Sequence, residues 1–244
     1  MPPKAPRPPT LIDRVKRAGN FEGFGDAFDF QNTISEQQLQ DSARAPVAWP
    51  IGQVQTSEKD AARLAAMLEA VTTRAFAPQG ARAFDYPKPS AAIHESGHAV
   101  FYAQSGVVPS KIAIWSIVVS GEQFWIGRNY GVPNYRIDSS TSAESDLKVA
   151  QESISGVAAE CLFDREYRIG SSLDEIVLGF VAVSAAASKM RCDVEMLWSE
   201  TCNEVATILK ANEGIVHKIA IVLMQKGAIE GERLGHILRG AKSR

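Results

Sequence analysis

Between residues 57 and 77 apolar side chains return at three- and four-residue spacing, with Leu64, Met67, Leu68 and Val71 on one stripe. That period predicts an amphipathic helix. Ser57 and Asp60 form a capping pair at its start, and Pro78 with Gly80 ends it. "DYPKP" delays the next helix to about Ser90, and Gly106 stops it after about Ser105. The pattern then changes. "SKIAIWSIVVSG" and "EQFWIGRNYG" are β-rich runs joined through Gly121, and they predict a hairpin or two neighbouring strands. "TSAESDLKVAQESISGVAAECLF" is helical again, with Leu147, Ala150, Ile154, Val157 and Cys161 on one stripe. The stretch 173–210 is long enough for two helices, and "GIVHKIAIVLMQKG" with "EGERLGHILRG" predicts a closing helical pair separated by Gly227. The fold class read from these periods is mainly α with a small β-sheet.

Residues 1–56 do not share this patterning. "MPPKAPRPPT" is proline-rich and reads as extended chain, and "LIDRVKRAGN" as a short basic helical turn. "FEGFGDAFDF" sets Phe21, Phe24, Phe28 and Phe30 among glycines and acids. The expected organisation is an extended N-terminal arm over 1–56 and one folded domain over 57–244. The arm's aromatics either fold back on that domain or dock into a protein partner, since apolar rings are costly to leave in water.

Composition narrows the classes. Of 244 residues, 45% are hydrophobic and 22% charged, as in ordinary globular proteins. A net charge of −2 gives no electrostatic reason to expect nucleic acid or an anionic membrane as partner. The three cysteines include no C-x-x-C pair, which argues against a disulfide framework and for a reducing compartment. The N-terminus has prolines where a signal peptide needs an apolar stretch, and "IVLGFVAVSAAA" is too short to span a bilayer. A cytoplasmic location is expected.

The chemistry concentrates in "SAAIHESGHAVFY" at 90–102. His94 and His98 are one helical turn apart and project from the same face, a spacing that suits two nitrogen ligands at about 2.0–2.1 Å from Zn²⁺. Glu95 sits beside them as a general base for a water activated by the metal. Gly97 costs helix stability of about 1 kcal/mol relative to alanine, which suggests that something packs close to the backbone there. Two histidines are too few for a catalytic zinc site, which usually takes three protein ligands. A third histidine six residues after His98 is absent, because that position is Gln104. His217 and His236 lie far along the chain and read as solvated or core histidines. Glu122, Glu152, Glu160 and Asp174 all remain candidates, and spacing does not choose among them.

Taken in order, "HESGHAV", "SKIAIWSIV", "SGVAAECLF" and "GSSLDE" resemble the peptidase domain of the FtsH-type ATP-dependent metalloproteases. That family carries H-E-x-G-H-A, a strand of the form "hKvtIiP", a helix with "GxxAEExxFG" and a turn "TGASNDL". The resemblance covers roughly 88–240 and includes the closing "LKANEGIVHKIAIVLMQKGAIEGERL". It implies an FtsH peptidase-like zincin helical domain, with Asp174 as third zinc ligand beside His94 and His98. Glu160 would then lie just behind the metal, with Gly97 close by. Leu173 stands where the family has asparagine, Cys161 where it has a second glutamate, and Asp164 where it has glycine. The chain has no G-x-x-x-x-G-K-[ST] and no Gly-Lys pair, so no phosphate-binding loop for a motor is present.

The expected function is therefore an ATP-independent zinc metalloendopeptidase acting on flexible or unfolded polypeptides. The substrate would add as an extended strand beside 112–127. The rival is a catalytically silent, zinc-stabilised scaffold that binds a partner through its arm. The family forms hexameric rings, but through the ATPase segment missing here, so the oligomeric state is left open.

Overall fold

The computed structural model describes residues 68–83, 85–119, 122–132 and 141–240. The arm at 1–56, with the expectations placed on it, and the capping pair at Ser57 lie outside these residues. The first described helix, α1, covers 68–76 and buries Leu68 and Val71 as its period requires. A two-residue strand β1 (Ala81–Arg82) follows, then the motif helix α2 (Lys88–Gln104). This helix starts two residues before the expected Ser90. Pro87 is its N-cap and Pro89 lies in its first turn, where a missing N–H costs nothing.

β2 (Lys111–Val119) and β3 (Glu122–Tyr130) form the expected hairpin, antiparallel from Lys111↔Tyr130 to Val119↔Glu122. Next comes α3 (Ala143–Phe163), capped by Ser142, whose hydroxyl accepts from the backbone N–H of Ser145. Ala150, Ile154, Val157 and Cys161 are buried along its stripe. A short strand β4 (Glu166–Tyr167) pairs parallel with β1, and a 3-10 turn, Ile169–Ser172, leads into α4 (Leu173–Met190). The long helical stretch is two helices, as its length suggested. Arg191 takes a left-handed conformation at φ 55°, and Asp193 caps α5 (Val194–Ala211) by accepting from Met196 N–H. α6 (Glu213–Lys226) and α7 (Gly231–Leu238) close the chain.

Between α6 and α7 the periodicity missed a strand. β5 (Ala228–Glu230) pairs antiparallel with β2 from Lys111↔Glu230 to Ala113↔Ala228, giving the sheet order β3-β2-β5. Three residues after a helix-ending Gly227 are too few to show a period of two.

α3 is the centre of the helical layer and packs on α2, α4 and α5, while α2 also carries the sheet and α6. Ile112, Ile114 and Asn129 are buried on the sheet face towards α2, whereas Trp115 on the opposite face is exposed. Close approach of α2 to α3 depends on Gly97. A Cβ there would sit 2.5 Å from the Ala159 Cβ and 2.6 Å from the Ser155 carbonyl oxygen. The top of α3 is tied to the end of α4 through Asp146, which is fully buried. Its carboxylate accepts from Lys189 Nζ at 2.5 Å and from the Thr141 hydroxyl at 2.6 Å. The segment before α2 touches the outer edge of the sheet, where Trp125 N–H donates to the Tyr86 carbonyl at 2.8 Å. All three cysteines are free thiols. Among the described residues no helix is long and apolar enough to cross a membrane.

Candidate metal centre

His94 and His98 are buried on the face of α2 that meets α3. Their Nδ1 atoms are both engaged from behind. His94 Nδ1 lies 2.6 Å from Glu160 Oε1, and His98 Nδ1 lies 2.9 Å from the Glu152 carbonyl and 3.0 Å from Ser155 Oγ. A carbonyl and a carboxylate only accept, so the Nδ1 atoms carry the protons and the Nε2 atoms keep their lone pairs. Those two Nε2 atoms are 3.0 Å apart. Glu175, in the first turn of α4, closes the group: Oε2 is 3.1 Å from His94 Nε2, and Oε1 is 3.2 Å from His98 Nε2. One ligand atom from each of the three residues lies within 4.8 Å of the others.

Electron-pair donors that converge in this way repel one another unless positive charge sits between them. Glu175 Oε2 is buried and, among the described residues, accepts no hydrogen bond despite its nearness to His94. The titration directions report the same demand. Burial works against charge on His94 and His98, yet the Glu175 carboxylate, aided at His94 by Glu160, holds both imidazoles above their ordinary value. Burial would raise the Glu175 carboxyl, and the two imidazoles outweigh it and hold the group far below the carboxylate range. Space is provided by α3. A Cβ on Gly156 would stand 2.5 Å from both Nε2 atoms, so only glycine lets the helix back pass the ligand tips. The donor set, its geometry and its shortage of positive charge fit a metal ion.

Behind His94 the polar chain continues, since Tyr86 donates its hydroxyl to Glu160 Oε1 at 2.6 Å. Glu160 is 1% exposed, and its second oxygen has no hydrogen-bond partner among the described residues. Burial, then the nearby Glu160 charge, pushes the Tyr86 phenol well above its ordinary value and keeps it a donor. In front of the imidazoles lies a cleft of about 320 Å³ lined by Glu95, His98, Tyr102, Asn129, Glu152 and Glu175 among others. Burial raises the Glu95 carboxyl above its ordinary value, although both imidazoles and Asn129 pull it down.

Of the residues singled out from the sequence, His94, Glu95, His98 and Glu160 come together here. Glu152 reaches the site through its carbonyl and also lines the cleft. Asp174 belongs to the first turn of α4, but its side chain, like that of Glu122, lies outside the described ones. Among the described side chains, the carboxylate that meets the two Nε2 atoms is that of its neighbour Glu175. His217 on α6 pairs with Glu213 at 3.6 Å, and His236 on α7 is exposed beside Arg239. Neither joins the cluster. Sequence reasoning also passed over Tyr86, Gly156 and Asn129; the only signal was a glycine one turn before Glu160. No protein-family model matches the chain, and no curated protein matches it either.

Proposed function

We propose that this protein is a zinc metallopeptidase that cleaves flexible polypeptides without ATP, built like the FtsH-type peptidase domain. The observation that carries the reading is the convergence of His94 Nε2, His98 Nε2 and the Glu175 carboxylate beside a cleft that also holds Glu95. Three protein ligands with one direction left open towards a cleft is the arrangement of a catalytic rather than a structural zinc site. His94, His98 and Glu175 hold the ion in this reading, so Glu175 takes the place the resemblance gave to Asp174.

Bound zinc supplies Lewis acidity, which acidifies water towards neutrality and polarises a carbonyl. Everything else falls to the chain. Glu160 and the Glu152 carbonyl fix the imidazole tautomers, so both Nε2 lone pairs are presented together. Glu95 accepts a proton from the attacking water at its carboxylate and returns it to the departing amine nitrogen. Burial raises its carboxyl above the ordinary value, which makes it a stronger base than an exposed carboxylate. β3, the outer strand of the sheet, brings main-chain groups to the same cleft at Gly127 and Asn129, where an extended substrate finds hydrogen-bond partners.

The test compares wild type, Glu95→Gln, Glu175→Ala and Asp174→Ala for zinc content and for cleavage of casein. Glu95→Gln is expected to keep its zinc and lose cleavage. Glu175→Ala should weaken zinc binding, and Asp174→Ala should leave it far less affected. Zinc retention with no cleavage by wild type would favour a scaffold, and failure of wild type to bind zinc would overturn both readings.

A further inference from the structure

β3 sets Gly127 and Asn129 against Glu95, and beyond their main-chain groups the reaction as described so far makes no use of them. Gly127 and Asn129 are two apart, so they lie on one face of the strand, the face towards α2. A Cβ on Gly127 would stand 2.3 Å from Glu95 Cγ, 2.7 Å from Cδ and 2.8 Å from Oε1. The Glu95 side chain thus lies directly on the strand backbone, in space that any other residue would fill. Asn129, 8% exposed, closes the end of this trough. Its Nδ2 donates to Glu95 Oε2 at 2.7 Å and to the Glu95 carbonyl at 3.1 Å.

Both groups that the carboxamide meets on Glu95 only accept, so Nδ2 must face them. Among the described residues, Asn129 Oδ1 is left buried without a hydrogen-bond partner. A site that served packing alone would shed that unmet acceptor by using an apolar side chain. Here one side chain grips the carboxylate and the backbone of the same residue. This ties the rotamer of Glu95 to the position of its own helix turn.

We propose that Asn129, working over the trough opened by Gly127, is the positioning residue of Glu95: it fixes the carboxylate that moves the proton and touches neither ligand nor metal. The proposal rests on the peptidase reading, and its test separates the two. The full chain is prepared as wild type, Asn129→Ala, Asn129→Asp, Glu95→Gln and the double variant Glu95→Gln/Asn129→Ala. Hydrolysis of fluorescently labelled casein gives kcat and KM, and competition with a chromophoric chelator gives zinc affinity.

Loss of fixed geometry should lower kcat about 100-fold in both Asn129 variants. KM should stay within about twofold of wild type, because a positioning defect leaves substrate binding alone. Zinc affinity should not change, and the double variant should be no slower than Glu95→Gln. An unchanged kcat, a loss confined to KM, or a parallel loss of zinc affinity would overturn the proposal. A wild type that binds zinc without cleaving defeats the peptidase reading by itself. Positioning is then judged on metal-free protein from urea midpoints of Glu95→Ala, Asn129→Ala and their double variant. Non-additive losses support the clamp, and additive losses overturn it.

Discussion

At the scale of single residues, the site is organised from behind the ligands as much as by them. Glu160 accepts from His94 Nδ1 and from the Tyr86 hydroxyl through the same oxygen. Its charge therefore both fixes the tautomer and makes Nε2 a better donor to a cation. Glu160→Gln keeps the shape and removes the charge, and zinc affinity should fall about 10–100-fold, measured by chelator competition. The motif itself made His94, Glu95 and His98 legible in the sequence. The third carboxylate was not: the sequence reading pointed to Asp174 and did not consider its neighbour Glu175. A helix turns about 100° per residue, so neighbouring positions such as 174 and 175 cannot be exchanged as ligand positions without a change of phase. Which of them meets the imidazoles depends on how the 3-10 turn Ile169–Ser172 hands the chain into α4, and no pattern of apolar positions records that phase.

Elements hold this geometry through a few ties between their ends. Asp146 at the start of α3 is fully buried and takes its main charge partner, Lys189, from the last turn of α4. Lys189→Met keeps the aliphatic stem but leaves the Asp146 carboxylate without that ammonium. The expected loss is about 3 kcal/mol, read from the urea midpoint, since removing one partner of a buried pair strands the other. The helices and the hairpin were readable because each repeats its period over several turns or residue pairs. β1, β4 and β5 were not, because strands of two or three residues exist only through their partners. Gly97 in the motif helix hinted at close packing in sequence. Gly127 gave no such hint, and Gly156 showed only as a glycine one turn before Glu160, since what a glycine makes room for comes from another element.

For the molecule as a whole, the candidate metal centre joins three elements: α2 supplies the imidazoles, α4 the carboxylate, and α3 the backing. Zinc should accordingly stabilise the entire fold, by an amount that depends on pH. In metal-free protein the raised imidazole values give stability that is full below about pH 6.5 and fades as pH rises through the folded values. The lowered Glu175 value gives stability present above the ordinary carboxylate range and lost only as pH falls through its folded value. Zinc competes with the imidazole protons, so the rise in Tm on adding excess zinc should grow as pH increases from the acid side. Thermal melts with zinc and with chelator across that range check the sign. A shift that shrinks with rising pH would contradict it. Tyr86 carries a consequence of a different kind. Its carbonyl already occupies the outward N–H of Trp125, and N–H groups two residues apart on a strand share a side. Among the described residues, then, the substrate lane proposed along β3 has a closed end at Trp125 and an open one from Gly127 towards Tyr130. A polypeptide laid in that lane would meet a wall just past Glu95, so it must bend away or end there, and loose tails become better cargo than the middle of a taut chain.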